Sequence, residues 1–192
     1  MSGWANGVQA KIKEVSPKAM YVHCHSHRLN LVLVDSMRYI PELSDLFDIV
    51  QALYVFFSNS SARHEIFMKA QEELGLPVME LERTVTTRWF YFYRSIIKIR
   101  MRYEALLISL VAVSKMKNKD NSINIAKGLL ERLKSPATIL SMFVAENILK
   151  LTNSLSEQLQ RVQLTIGSAF LLILSMYDSL KSQRGRVPPK FF

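Results

Sequence analysis

The stretch PELSDLFDIVQALYVFFSNSS, from Pro41 to Ser61, carries the strongest structural signal in the chain. Proline is favoured at the first turn of a helix, and acidic residues near the start suit the positive end of the helix dipole. Apolar side chains then recur every three or four residues, which places them on one side of an α-helix. This predicts an amphipathic helix with a broad buried face. The apolar stripe consists of Leu46, Ile49, Val50, Leu53, Phe56 and Phe57.

Helix-forming residues also dominate the rest of the 192 residues, and glycine and proline are sparse at six each. The fold class is therefore predicted to be mainly α. In the first half of the chain we expect a short helix that ends before Pro17, one capped by Ser26, and one from near Ser60 to Gly75. A long helix is expected from about Arg88 to Met116. One helix should precede Ser135-Pro136, one should follow it, and the last should run from roughly Ser154 to Lys181.

One segment, KAMYVHC, is rich in apolar and aromatic residues and predicts a short strand at about residues 19–24. A single strand cannot form a sheet. Either the strand prediction is wrong, or the partners of the strand lie outside this chain.

The composition limits the classes of function. A net charge of +9 and a pI near 9.7 favour an anionic partner such as DNA or RNA, although a basic surface also serves solubility. One cysteine excludes an internal disulfide. The apolar run that begins at Leu164 is closed by Asp178 and is shorter than the roughly 20 residues of a membrane span, so it predicts a buried helix. We expect a nuclear or cytoplasmic protein without a membrane segment.

Histidines surround the only cysteine in the segment HCHSH, residues 23–27. Cys24 and His27 have the C-x-x-H spacing of half a zinc site, but a structural zinc site needs about four ligands. His23 and His64 could complete such a set, although no pattern specifies it. A Cys24–His27 nucleophile pair would need an orienting group and an oxyanion hole, which the sequence does not mark. A buried cysteine beside histidines that bond to backbone is the simpler interpretation, so we assign no metal ligand and no catalytic residue.

The segment HCHSHRLNLVL resembles the C-x-x-H-x-L-N-L motif of hAT-superfamily transposases. It is most similar to their domesticated relatives, the zinc finger MYM-type and repressor-of-kinase-inhibitor proteins. Further blocks follow the order of the family over nearly the whole chain. These blocks are MSGWANGVQAKIKE, LYVFFSNSSARHEIF, TTRWFYFYRSI, GLLERLKSPATI, LTNSLSEQLQ and the last helix.

The resemblance implies a ribonuclease H-like core interrupted by an all-helical insertion. The family holds two divalent metal ions with two aspartates and a glutamate. The alignment places both aspartates before Met1 and the glutamate beyond the last helix, so magnesium is expected only in a complete parent protein. It implies a residual core piece at 1–37, the helical insertion domain at 38–184 and a flexible basic tail at 185–192. Because the sheet partners would be missing, we expect the first 35 or so residues to be poorly anchored, and either to pack onto the helices or to pair with another chain.

Four residues match the motifs of the family: Cys24, His27, Arg88 and Trp89. For Cys24 and His27 the resemblance implies support at the border of the catalytic domain. For Trp89 it implies stacking on a flipped DNA base, whereas a tryptophan at the start of an amphipathic helix is often core. The chain departs from the family directly after Trp89, where FYFY replaces a small or polar residue.

Arg94, Lys98 and Arg102 are spaced four residues apart and should share one helix face. Together with Trp89, this basic stripe is the candidate nucleic-acid-binding surface, because phosphate contacts need clustered cations. A solvated helix face is an equally simple interpretation. A second basic cluster in the tail consists of Lys181, Arg184, Arg186 and Lys190.

Three functional hypotheses follow. The first is a catalytically inactive, transposase-derived fragment that binds protein or nucleic acid. The second is a self-contained basic helical module that binds DNA. The third is a metal- or thiol-dependent enzyme built on Cys24 and His27. The first is preferred, with DNA, another protein or a second copy as partner and with no small-molecule substrate.

Overall fold

The computed structural model describes residues 6–21, 24–84, 89–116, 121–161 and 163–184, and all regular structure in these ranges is helical. The predicted class, mainly α, is confirmed. The helices are α1 (Val8–Val15), α2 (His25–Arg38), α3 (Pro41–Ser58), α4 (Ser61–Glu73), α5 (Trp89–Met101), α6 (Tyr103–Ser114), α7 (Ser122–Lys134), α8 (Pro136–Leu159) and α9 (Ile166–Gln183).

Helix α3 lies at the centre of the core, as its apolar stripe predicts. It begins with Pro41 in the first turn and packs against α2, α4, α5, α7 and α8. The ring of Phe57 lies 5.1 Å from the ring of Phe67 on α4, centroid to centroid. On the other side of α4, helix α6 buries Leu106 and Leu110 completely and also packs against α7. The buried faces of α3 to α8 thus form one continuous core.

Local signals set both ends of α4. The Ser60 hydroxyl accepts a hydrogen bond from the backbone N–H of Arg63 at 3.4 Å, which caps the first turn. At the other end, Gly75 has a φ of +66°, and its N–H donates to the Glu72 carbonyl at 2.9 Å. The next N–H, that of Leu76, donates to the Gln71 carbonyl at 2.9 Å. This pair of bonds is a Schellman motif, and it confirms the predicted end of the helix at Gly75.

The predicted long helix from Arg88 to Met116 is wrong, because it is interrupted at Arg102. Here the backbone has a φ of −118° and a ψ of 18°, outside the helical range, and α6 starts at the next residue. The apolar periodicity continues across the break because α5 and α6 both face the same core. Arg88 itself lies outside the described residues.

The predicted last helix from Ser154 to Lys181 is also wrong. Helix α8 continues to Leu159, and α9 starts only at Ile166. The Thr165 hydroxyl accepts a hydrogen bond from the Ser168 N–H at 3.2 Å and so caps the new helix. Two helices therefore occupy the predicted span of one.

The amino-terminal part divides into two regions of different packing. Helix α1 packs against none of the other described helices, so the expected poor anchoring is confirmed for it. Helix α2 instead packs against α3, α5 and α8, which agrees with the alternative that this part packs onto the helices. Of the predicted strand at 19–24, the described residues 19–21 and 24 have no strand structure, and residues 22 and 23 lie outside the described ranges. The proposed domain border after residue 37 falls at the end of α2 and stays a prediction.

Candidate functional site

An open cleft of 770 Å³ lies where the starts of α2 and α5 meet the last turns of α8. Cys24 and His27 line it from the start of α2, and both are exposed. Trp89 lines it from α5, and Glu157 lines it from α8. Three of the four family-motif residues therefore converge on one cleft. The fourth, Arg88, lies outside the described residues.

Polar side chains connect α2 to α8 across this cleft. The hydroxyl oxygens of Ser26 and Ser156 are 2.7 Å apart. The amide of Gln160 donates to the Ser26 hydroxyl at 3.2 Å and to the Ser156 carbonyl at 3.1 Å. Ser26 was expected to cap α2, but the helix begins two residues earlier than this cap implies, and Cys24 occupies the N-cap position. The Ser26 side chain joins two helices instead.

Trp89 belongs to the core. Its side chain is 4% exposed, and its backbone N–H donates to the Asn30 side-chain oxygen at 3.2 Å. Stacking on a base requires an open ring face, so the predicted stacking role is not available to Trp89 in this structure. The neighbouring Phe90 is the accessible aromatic residue, because it is 38% exposed and also lines the cleft.

The described part of the chain holds no group of three His, Cys, Asp or Glu side chains that could bind a metal ion. His64 lies on α4, which is not among the helices that α2 packs against, and its Nε2 is 2.9 Å from the Glu80 carboxylate. His23, the remaining member of the hypothetical zinc set, lies outside the described residues. The geometry therefore does not bring His64 to Cys24 and His27.

The basic stripe on α5 faces another part of the protein. Arg94 and Lys98 both pair with Glu82, at 2.6 and 2.8 Å from its Oε1 atom. Lys98 also donates to the Glu80 carbonyl at 2.9 Å, and the Ser95 hydroxyl donates to the Glu82 carbonyl at 3.2 Å. These partners lie in the extended segment of residues 76–84, here called the strap. The stripe holds the strap against α5.

Arg102 completes this attachment from inside the protein. It is 4% exposed, its Nε donates to the Gln71 side-chain oxygen at 2.8 Å, and its Nη2 donates to the Pro77 carbonyl at 2.7 Å. The fully buried Gln71 also exchanges two hydrogen bonds with the backbone of Met79, at 2.9 and 3.2 Å. Arg102 therefore has a structural role in this network, and its buried guanidinium is not available for the predicted contact with phosphate in this structure.

Two partly buried tyrosines have raised pKa values. Burial raises the pKa of the Tyr103 hydroxyl, which donates to the Leu133 carbonyl at 3.0 Å. For Tyr93, burial has the largest effect on the pKa, and the Glu146 carboxylate raises it further. Glu146 on α8 pairs with Arg100 of α5 at 2.7 Å. None of these groups lines the cleft.

Helix α9 was predicted to be buried, and this prediction is wrong. Only Ala169 is buried among its residues, and α9 packs against α8 alone of the described helices. Its large apolar side chains are exposed to solvent, with Ile166 at 91%, Leu171 at 66% and Phe170 at 60%. The sequence pattern identified the apolar character of this helix, but it held no information on how few neighbours the helix would have.

No protein-family model matches the chain, and no solved structure resembles it significantly. The resemblance to hAT-type proteins therefore depends on the sequence blocks alone. None of the helices in the described ranges combines the length and the apolar character of a membrane span.

Proposed function

We propose that this chain is a non-catalytic, all-helical interaction domain of hAT-transposase origin, and that it binds another protein. The observation that carries the proposal is the exposed apolar surface of α9. A helix that buries one small residue and exposes Ile166, Phe170, Leu171, Leu174 and Tyr177 has an apolar face without a partner in the described chain. Contiguous apolar surface of this kind marks interaction sites in proteins.

The ordered sequence blocks support the proposed origin. The shared cleft adds a second argument, because Cys24, His27 and Trp89 come from two distant motifs and line the same space. The proposal that the domain is non-catalytic depends on the alignment, which assigns none of its carboxylates to the metal-binding set of the family.

DNA binding is the second candidate, and the net charge of +9 favours it. The geometry makes it the weaker one, because the cations of the α5 stripe already have partners in the strap. Arg94 and Lys98 pair with Glu82, and Arg102 is buried.

Affinity purification from cells, with protein identification by mass spectrometry, tests protein binding. We expect an identified set of proteins that persists after nuclease treatment and is lost with Phe170→Ser. Ile125→Ser is the matched control, because Ile125 is an exposed apolar residue on α7. The control should retain the set. Partners that are lost after nuclease treatment, or that both variants still retain, would contradict the proposal.

Fluorescence anisotropy with a labelled duplex tests the second candidate. DNA binding through phosphates predicts affinity that falls steeply between about 50 and 200 mM salt. No binding at the lower salt concentration excludes it. Incubation of the protein with supercoiled plasmid and magnesium tests the non-catalytic assignment, and nicked product would contradict that part of the proposal.

A further inference from the structure

The exposed apolar residues of α9 form a regular stripe. Ile166, Phe170, Ile173 and Tyr177 are spaced four, three and four residues apart, so they lie along one side of the helix. The helix has 18 residues and is therefore about 27 Å long. This spacing is the one that helices use when they pack along each other. The stripe consequently fits a second helix better than it fits a loop or a small molecule.

Positive charge surrounds the carboxyl end of the stripe. Lys181 follows Tyr177 at position i+4, on the same side of the helix, and Arg184 is the residue directly after the helix. Neither has an ion pair among the described residues. Asp178 is the one acidic residue in α9. From residue 179 to residue 192 the sequence has four basic residues and no acidic residue.

The opposite edge of α9 also combines apolar side chains with a cation. A groove of 500 Å³ separates it from the end of α8 and the following turn, and Leu164 and Leu171 line this groove together with Arg161. Arg161 is exposed and has no ion pair in the described ranges. Cations therefore lie at the carboxyl end of the stripe and in the groove on the opposite side of α9.

We propose that α9 docks an acidic amphipathic helix of a partner protein, with apolar residues at i, i+3, i+4 and i+7 on its inner face and Glu or Asp beside them. The inference rests on the proposed function and specifies the partner. Charge complementarity selects this partner, because acidic side chains would meet Lys181 and Arg184 at the rim of the stripe, at its carboxyl end. A second copy of the chain would instead bring together two bodies of net charge +9.

Two labelled synthetic peptides of 18 residues test this proposal with the full chain. Both carry leucine at the four inner positions, and the remaining positions are mainly glutamate in one peptide and mainly lysine in the other. Fluorescence anisotropy at low salt should show that the glutamate peptide binds at least about tenfold more tightly than the lysine peptide. Raising the salt concentration should reduce this preference.

Three variants locate the binding surface. Phe170→Ser should weaken binding of the glutamate peptide by about tenfold or more, because it removes an apolar anchor from the stripe. Lys181→Glu should reduce the preference for the glutamate peptide, because it reverses a charge at the rim. Ile125→Ser should leave both affinities unchanged. Circular dichroism checks that each variant is folded, which we expect because all three positions are exposed.

Equal affinity for the two peptides, or unchanged affinity in Phe170→Ser, would overturn the proposal. A dimer of the chain in light scattering would also overturn it if Phe170→Ser dissociates that dimer, because a second copy of the chain would then occupy the stripe. Sedimentation with phosphatidylserine vesicles tests whether α9 binds a lipid surface instead. The proposal is also overturned if Phe170→Ser abolishes binding to the vesicles and the chain shows no preference for the glutamate peptide.

These outcomes separate the inference from the proposed function. If the peptides bind equally but the identified cellular partners still depend on Phe170, protein binding stands and only the acidic character of the partner is wrong. If neither the peptides nor the cellular partners depend on Phe170, both proposals fail.

Discussion

Arg102 joins three parts of the protein through one buried guanidinium group. It follows α5, it binds Gln71 near the end of α4, and it binds the carbonyl of Pro77 in the strap. A buried arginine is tolerated when its donors have acceptors. The same residue marks the interruption between α5 and α6, where the backbone leaves the helical range.

We expect Arg102→Ala to lower the free energy of unfolding by about 3 kcal/mol, because it leaves the buried Gln71 side-chain oxygen without its charged donor and removes the bond to the Pro77 carbonyl. Urea denaturation measures this change. The matched control is Arg94→Ala, since Arg94 is an exposed member of the same stripe and its pair with Glu82 should contribute less than about 1 kcal/mol. Equal losses in the two variants would contradict the structural role of Arg102.

Tyr103 predicts a dependence of stability on alkaline pH. Burial raises its pKa above 10.0 in the folded state, so the folded protein keeps this proton when the unfolded chain has lost it. The stabilisation is complete below about pH 10, the pKa of an unfolded tyrosine, and it is lost as the pH rises through the folded pKa. Urea unfolding between pH 8 and 11 should show a smaller loss in Tyr103→Phe than in the parent protein.

Tyr177 provides the control for this measurement, because its hydroxyl lies on the exposed face of α9. Tyr177→Phe should retain the alkaline loss of the parent protein. A loss that is identical in the Tyr103 and Tyr177 variants would mean that burial of Tyr103 does not couple to folding.

At the scale of helices, the end of α4 shows how one backbone conformation stops an element. Gly75 adopts a left-handed conformation and closes the Schellman motif, and no heavy atom lies within 4 Å of the position that a Cβ would occupy there. The cost of a side chain at Gly75 would be conformational rather than steric. Gly128 also has open space around its Cβ position, but it lies inside α7.

Alanine at these two glycines should therefore have opposite effects. Gly75→Ala should lower the free energy of unfolding by about 1–2 kcal/mol, because an L-residue is strained at positive φ. Gly128→Ala should raise it by about 0.4–1 kcal/mol, because alanine is favoured inside a helix. Thermal unfolding followed by circular dichroism measures both. Destabilisation of the Gly128 variant would contradict the open environment of that position.

Helices α5 and α9 mark the limit of prediction at this scale. Periodicity correctly predicted that both segments are helical, and Arg94 and Lys98, four residues apart, do reach the same partner, Glu82. Periodicity could not identify what these two residues contact, because the partners Glu80 and Glu82 lie in a strap without regular structure. Nor could it identify that α9 has one neighbouring helix among those described.

For the whole molecule, the described helices differ in how they are held. Helices α3 to α8 share a continuous core, whereas α1 contacts none of the other described helices and has no buried residue. Stability measured amide by amide should follow this division, since local opening is easiest where few apolar contacts must break.

Hydrogen exchange followed by mass spectrometry tests this division. Amides of α1 should exchange at nearly the rate of an unfolded peptide, and amides of α6 should exchange only as fast as global unfolding allows. Helix α9 should lie between these limits, because α8 is the one described helix that it packs against. Binding of the glutamate peptide should slow exchange in α9 and leave α1 unchanged. Strong protection of α1 in the free chain would contradict the structure.

The sequence alone determined the helical class, many helix boundaries and the buried face of α3, because these depend on local signals: Pro41 in a first turn, Gly75 after a last turn, and apolar residues at helical spacing. Outside α3, only the tertiary structure decided which side chains are exposed. It buried Trp89 and Arg102, which sequence motifs had suggested as DNA contacts, and it exposed α9, which had the composition of a core helix. Burial depends on distant neighbours, and periodicity within one segment contains no information about them.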